Sequence, residues 1–226
     1  MGRVYKVGAR TSPLALKQVD EVIAYLKAFD PKIGFEIVGI DTCGDKDRLT
    51  PISDMEGTDF FTREIEEAIS SGKIDFAVHS AKDLPDEIPE GLYIAAITES
   101  IDPYDALVSK DNLKLGELLY GAKVGTSSLR RKTQLKSYRS DFEIVDIRGN
   151  IEERLKILDE ADLEAIVIAA CGLKRLGLET RITQRIPFEI LRPHPLQGSL
   201  AVETRKDNSS LIELFSKLDS RSAVTL

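Results

Sequence analysis

The stretch Val4-Tyr5-Lys6-Val7-Gly8-Ala9-Arg10-Thr11-Ser12-Pro13-Leu14-Ala15-Leu16-Lys17-Gln18-Val19 decides the fold class. Val4 to Ala9 is a short β-rich run with the valines and tyrosine that strands favour. A helix should begin just after Arg10. Ser12 can accept from the free N–H groups at a helix start, Pro13 suits the first turn, and Ala15, Val19, Val22, Ile23 and Leu26 form one apolar stripe. A strand that feeds a helix through a short polar connection is the repeating unit of α/β layers.

Outward from that unit the alternation continues almost to the end of the chain. Further strands are expected at Phe35 to Ile40, Asp75 to Ser80, Tyr93 to Ile97, Ala106 to Ser109, Lys123 to Thr126, Glu143 to Ile147, Ala165 to Ala169 and Leu200 to Glu203. Several are apolar throughout, as strands covered on both faces are. Helical patterns fall at Phe61 to Ser71, Leu129 to Tyr138, Ile151 to Glu160 and Asn208 to Leu218. Between Gly44 and Asp59 runs a polar, glycine-containing segment too long for an ordinary connection, which fits a mobile lid or plain disorder.

The chain has 226 residues, 42% of them hydrophobic, enough for one generous core or two modest ones joined by a hinge. A net charge of -7 argues against general affinity for nucleic acid or for anionic membrane surfaces. No apolar run approaches the roughly 20 residues of a membrane helix and the N-terminus lacks a leader pattern, so a cytoplasmic protein is expected. Two cysteines, Cys43 and Cys171, are too few for a disulfide framework and have no metal-ligand spacing with His79 or His194. No metal site is expected.

Chemistry should sit where strands run out into loops, the ligand-facing edge of an open α/β sheet. In Val78-His79-Ser80-Ala81-Lys82-Asp83-Leu84-Pro85 a carboxylate stands beside an ammonium at the end of a buried strand. Asp83 could stabilise a developing cation or shuttle a proton. On that peptide alone an aspartate capping the next turn is the commoner case. His79, a single histidine without a placed partner, reads as a packed, hydrogen-bonded residue and is left out of the catalytic set.

Gly125-Thr126-Ser127-Ser128-Leu129-Arg130-Arg131 combines hydroxyls with a helix start, a pairing suited to an anion. Cations are unfavourable at a helix N-terminus, so Arg130 and Arg131 ask for a compensating anion, which a bound carboxylate would supply. Arg10, Arg148, Arg154 and Arg175 also lie near strand ends. Each alone is most simply a solvated surface charge; together they suggest a ligand bearing several carboxylates, which guanidinium groups bind through paired planar hydrogen bonds.

With these residues in hand, Arg10-Thr11-Ser12-Pro13-Leu14-Ala15-Leu16, Val78 to Pro85, Val124 to Arg131, Arg148-Gly149-Asn150 and Gly172-Leu173-Lys174-Arg175-Leu176-Gly177 resemble, in order and spacing, the hydroxymethylbilane synthase (porphobilinogen deaminase) family. The family joins porphobilinogen molecules head to tail with loss of ammonia, on a dipyrromethane cofactor held through a cysteine thioether. The resemblance implies that Asp83 assists deamination with Lys82 beside it. It also implies that Arg10, Ser12, Thr126, Ser128, Arg130, Arg131, Arg148, Arg154 and Arg175 grip carboxylates of substrate and cofactor, and that Phe61 covers a substrate ring. Porphobilinogen and oligopyrrole intermediates would be its ligands.

The same resemblance implies α/β architecture of the periplasmic-binding-protein type: two lobes with a cleft between them, residues 1–98 and 191–226 forming the first and 99–190 the second. The crossings near Thr98 to Tyr104 and Ile190 to Pro195 would act as hinges. Family members continue past Gln197-Gly198-Ser199-Leu200-Ala201-Val202-Glu203 into a third domain that carries the cofactor-attaching cysteine. That domain is expected to be absent here, and no residue matches the cysteine. Cys171 stands where the family has a small residue and reads as a packed thiol. Thr58-Asp59 replaces the family's Lys-Gly, and Leu196 its glycine before Gln-Gly. An active short form, half of a split enzyme whose third domain is a separate chain, a non-catalytic binding protein for carboxylated pyrroles or tetrapyrroles, and an enzyme for another small carboxylated substrate all remain open at this level.

Overall fold

The computed structural model describes residues 3–47, 58–85 and 87–221, which fall into two compact units. Most of the segment expected to be a lid, 48–57, lies outside the described residues.

The first unit comprises the described parts of 3–100 together with 199–221. Its sheet contains β1 (Val4–Ala9), β2 (Gly34–Gly39), β3 (Phe76–Ser80), β4 (Leu92–Ile97) and β10 (Leu200–Arg205) in the order β2-β1-β3-β10-β4. β1 runs parallel to β2 and β3, while β10 is antiparallel to β3 and β4. Helix α1 (Pro13–Phe29) starts as the sequence predicts: Ser12 Oγ accepts from Ala15 N at 3.3 Å and Pro13 fills the first turn. Its inward face buries Ala15, Val19, Val22 and Leu26, with Ile23 packed at the edge of the same core. That core also takes Phe76 and Phe215, whose rings meet at 4.8 Å, the latter from α7 (Ser209–Ser216). On the other face α3 (Arg63–Ser70) packs Ile65, Ala68 and Ile69 against Ile74, Ala77 and Leu92.

The second unit, 101–198, repeats the scheme with β5 (Asp105–Ser109), β6 (Lys123–Gly125), β7 (Glu143–Val145), β8 (Ala165–Ala169) and β9 (Gln184–Ile186) in the order β7-β6-β8-β5-β9. Period-two alternation divides the strand residues between two cores. Leu107 and Val167 face Leu135 of α4 (Leu129–Tyr138), whereas Ala106, Val108, Ile166 and Ile168 face Leu155 and Leu158 of α5 (Ile151–Glu160).

Three features depart from the sequence reading. The polar segment after β2 begins with a short helix, α2 (Cys43–Lys46), closed by Asp45, whose carboxylate accepts from Thr42 N and Thr42 Oγ1. β9 and α6 (Ala170–Arg175) are not anticipated, because Gln184-Arg185-Ile186 is too short and polar to stand out and the apolar run of β8 continues into α6 without a break. Residues 191–198, expected with the first lobe, belong to the second unit. Leu191 is fully buried in its core, and Gln197 Nε2 donates to Pro103 O and to Asp105 Oδ1.

Candidate active site

In the first unit, β1 and β3 run parallel and end side by side, so the loops they feed meet. Arg10, Ser12, Gln18, Phe61, His79 and Asp83 line one cavity of about 80 Å³. Arg10 leaves β1 and turns its guanidinium onto Asp45: Nε lies 3.1 Å from each carboxylate oxygen, and a terminal nitrogen contacts Oδ1. The same guanidinium stacks 4.5 Å from the centroid of Phe61. Phe61 also lies against Gly44, where a Cβ would come within 2.2 Å of the ring. Burial tends to raise the Asp45 pKa, but Arg10 and the two Thr42 donors outweigh it and hold the carboxyl below its ordinary value. Arg10 and Phe61, predicted as ligand contacts, are thus preassembled with Asp45, which sequence reasoning missed.

β3 ends in a single 3-10 turn, Ala81–Asp83, that leaves Lys82 half-buried and Asp83 exposed at the cavity. Asp83 does not cap the next turn. Among the described residues neither Lys82 nor Asp83 is engaged in a hydrogen bond or ion pair. His79 is packed as expected, with Nε2 2.9 Å from Oε2 of the fully buried Glu203.

In the second unit, β6 ends at Gly125 and presents Thr126, Ser127 and Ser128 ahead of α4. The hydroxyls divide the work. Ser127 Oγ donates to Ile147 O at 2.6 Å and accepts from Ile147 N at 3.0 Å, fastening the neighbouring strand end. Thr126 Oγ1 is fully buried and has no hydrogen-bond partner among the described residues, and the Ser128 side chain makes no capping bond. An unpaired buried hydroxyl is costly, so such an atom beside a helix start points to a ligand.

The two arginines that follow are not waiting for an anion. Arg131 donates to Asp105 Oδ1 from Nε at 3.0 Å and from a terminal nitrogen at 2.7 Å, and Arg130 donates to Asp105 Oδ2 at 2.8 Å. Asp105, wholly buried at the start of β5, is the compensating charge that the sequence reading assigned to a bound carboxylate. Burial pushes its carboxyl upward, yet Arg131 and Arg130 overcome this and keep it below the ordinary value. Arg131 is buried and Arg130 half-buried, so within this unit Arg131 holds the fold while Arg130 keeps part of its surface open. No local pattern around Pro103-Tyr104-Asp105 announces this role, which depends on the first turn of α4 reaching the start of β5.

Arg148 is half-buried ahead of Gly149, whose φ of +102° demands glycine. Asn150 caps α5 by accepting from Glu153 N at 2.8 Å, and Arg154 Nε donates back to Gly149 O at 2.8 Å. The structure therefore brings Arg148 and Arg154 to one turn. Arg175 donates to Gly198 O at 2.9 Å from the end of α6. Cys171 is buried and Cys43 exposed, and no metal-ligating cluster occurs among the described residues. No helix among them is long and apolar enough to cross a membrane.

Solved structures share the fold. The methionine-binding protein MetQ superposes with a TM-score of 0.55 at 16% identity over 95% of this chain and 89% of its own. The probable amino-acid ABC transporter extracellular-binding protein ytmK of Bacillus subtilis gives 0.54 at 13% identity, covering 96% and 90%. Sequence relatives are nearer. The porphobilinogen deaminase of Pelotomaculum thermopropionicum is 48% identical over 221 residues, 98% of this chain and 71% of the relative. That of Brevibacillus brevis is 45% identical over 219 residues, 97% of this chain and 71% of the relative. The model of the porphobilinogen deaminase dipyrromethane cofactor binding domain matches residues 5–213. With that match running from β1 into α7 through every segment described above, the chain belongs to the porphobilinogen deaminase family.

Proposed function

We propose that this protein binds porphobilinogen and adds it to a growing oligopyrrole with release of ammonia, the reaction of hydroxymethylbilane synthesis in the tetrapyrrole pathway. The observation that carries the reading is Asp83: a carboxylate with no partner among the described residues, at a cavity that also presents Arg10, Ser12 and Phe61. Porphobilinogen carries two carboxylates and an aminomethyl ammonium. When its C–N bond breaks, the bond pair leaves with ammonia and positive charge spreads over the pyrrole and its N–H. A carboxylate at that N–H stabilises the cation as it forms, and a charge pair at about 4 Å is worth roughly 4 kcal/mol near a protein surface. Lys82, next to it in the turn, offers a carboxylate-binding cation.

The donor set fits a polycarboxylate such as dipyrromethane. Thr126 and Ser128 offer hydroxyls beside the α4 start, and Arg130, Arg148, Arg154 and Arg175 offer guanidinium groups from the second unit. When bound, the dipyrromethane supplies the pyrrole carbon from which the product grows. Arg131 acts through Asp105 and positions Arg130 and the start of α4.

The test is intact mass of the purified protein, then incubation with porphobilinogen while ammonia release and binding heat are followed. Asp83→Asn should lower turnover by about a hundredfold or more while binding persists, as for loss of a charge that matters only in the transition state. Saturable binding without ammonia release by the parent protein would establish a binding protein instead. Equal turnover in the variant would remove Asp83 from the mechanism.

A further inference from the structure

Behind the cavity lies a group of ionisable side chains that the proposed reaction does not use. Glu203 on β10 and His79 on β3 sit on neighbouring strands with their side chains bonded at 2.9 Å; both residues are buried. Glu66 reaches in from α3, also buried, and is hydrogen-bonded to Thr62, which lines the cavity with His79 and Asp83. Two carboxyl oxygens here, Glu66 Oε1 and Glu203 Oε1, are enclosed and lack any hydrogen-bond partner among the described residues.

Charge bookkeeping decides how such a group can exist. With both glutamates ionised and the imidazole neutral it would hold two uncompensated buried charges, and with an imidazolium still one. Buried net charge is expensive, and groups that cannot be paired change protonation instead. Two arrangements are neutral, and of these an imidazolium bonded to ionised Glu203 with a proton on Glu66 keeps the 2.9 Å His79–Glu203 contact as a charge-assisted bond, which a neutral imidazole beside two protonated glutamates would give up. Glu66 is driven the same way: burial, with the nearby Glu203, pushes its pKa up.

We propose that Glu66, His79 and Glu203 form a proton-sharing triad that positions the end of β3, making His79 a positioning residue for the chemistry assigned to Asp83. His79 precedes Lys82 and Asp83 on the same strand end, and its Nε2 bond to Glu203 pins that end to β10. The charged groups that bear on the triad are Arg10, Asp59 and Asp83, of which Arg10 and Asp83 share the cavity with His79 and Asp59 acts on Glu66. The sign follows from the raised Glu66: its proton is held to higher pH than that of an ordinary glutamate, and its loss leaves a net negative charge under Asp83 and loosens the strand end.

The inference rests on the proposed reaction for its catalytic consequence but is read out independently. The sequence holds only two histidines, His79 and His194, so a nitrogen-15 ring spectrum of the whole chain contains two imidazoles, assigned by His79→Asn. His79 should be protonated on both ring nitrogens at pH 7. The backbone amides of Ser80 to Asp83 should titrate in step with it. In Glu203→Gln, His79 should become neutral at pH 7 and kcat fall about tenfold with KM within about twofold, the signature of lost positioning rather than lost binding. A neutral His79 at pH 7 in the parent protein, or amides of Ser80 to Asp83 indifferent to its titration, would overturn the triad. A doubly protonated His79 in a protein that releases no ammonia would uphold the triad and overturn the reaction.

Discussion

Replacing Asp105 by Asn is the sharpest test of how the second unit is held together. The carboxylate receives two hydrogen bonds from Arg131 at 3.0 and 2.7 Å, one from Arg130 at 2.8 Å and one from Gln197 at 3.0 Å, in a fully buried position. Asparagine keeps one acceptor but turns an NH2 group toward a guanidinium and leaves two cations without their counter-charge. Breaking a buried pair by neutralising one partner costs about 3–5 kcal/mol, and the retained acceptor places this variant near 3. At about 2–4 °C per kcal/mol for a chain of this size, the melting temperature should fall by roughly 6–12 °C. Calorimetry gives the shift, and hydrogen exchange should show β5 and β8 losing protection while β1 and β3 keep theirs. A melting temperature within about 2 °C of the parent would mean that the pair contributes little, and that the arginines are held for ligand after all.

Thr126→Val removes a buried hydroxyl that has no partner, so the isolated protein should gain about 1 kcal/mol of stability while carboxylate ligands bind several-fold more weakly; stability and affinity falling together would refute a ligand-directed hydroxyl. Gly44→Ala would drive a methyl into the Phe61 ring and lift it from Arg10, raising KM for porphobilinogen several-fold, as loss of a cation–π contact of about 0.5–1 kcal/mol allows; an unchanged KM would separate Phe61 from the substrate. Asp45 and Asp105 both have lowered pKa values, so each contributes stability that is fully present above the ordinary aspartate value of 3.8 and is lost as pH falls through the lower folded value. Acid titration of the melting temperature should therefore steepen below about pH 4, and Asp45→Asn should flatten it; a profile unaltered by that substitution would exclude the Arg10 pair as a source.

Much of the fold is legible in the sequence because the deciding signals are local. Ser12-Pro13 and the stripe from Ala15 to Leu26 mark α1 within a few residues, and the apolar run Ala165 to Ala169 marks a strand covered on both faces. Where local chemistry is ambiguous the reading stops short: β9 is three residues long, α6 continues the hydrophobicity of β8, and the crossing back to the first unit falls at 198 rather than 190 because Leu191 and Gln197 find their partners in the second. The motifs at Arg10, Asp83 and Thr126 could likewise be picked out from residue type at strand ends.

Which of those residues are committed and which remain open is a different kind of fact. Arg131 and Asp105 lie 26 positions apart, Arg10 and Asp45 35, His79 and Glu203 124. Sequence alone determined which cations and which carboxylate stand near strand ends, since strand period, helix caps and hydrophobic stripes act over a few residues. Only the tertiary structure decided that Arg130 and Arg131 are neutralised from within, that Thr126 is enclosed yet unbonded, and that Asp83 stands unpaired, because pairing and desolvation depend on distances that chain folding sets.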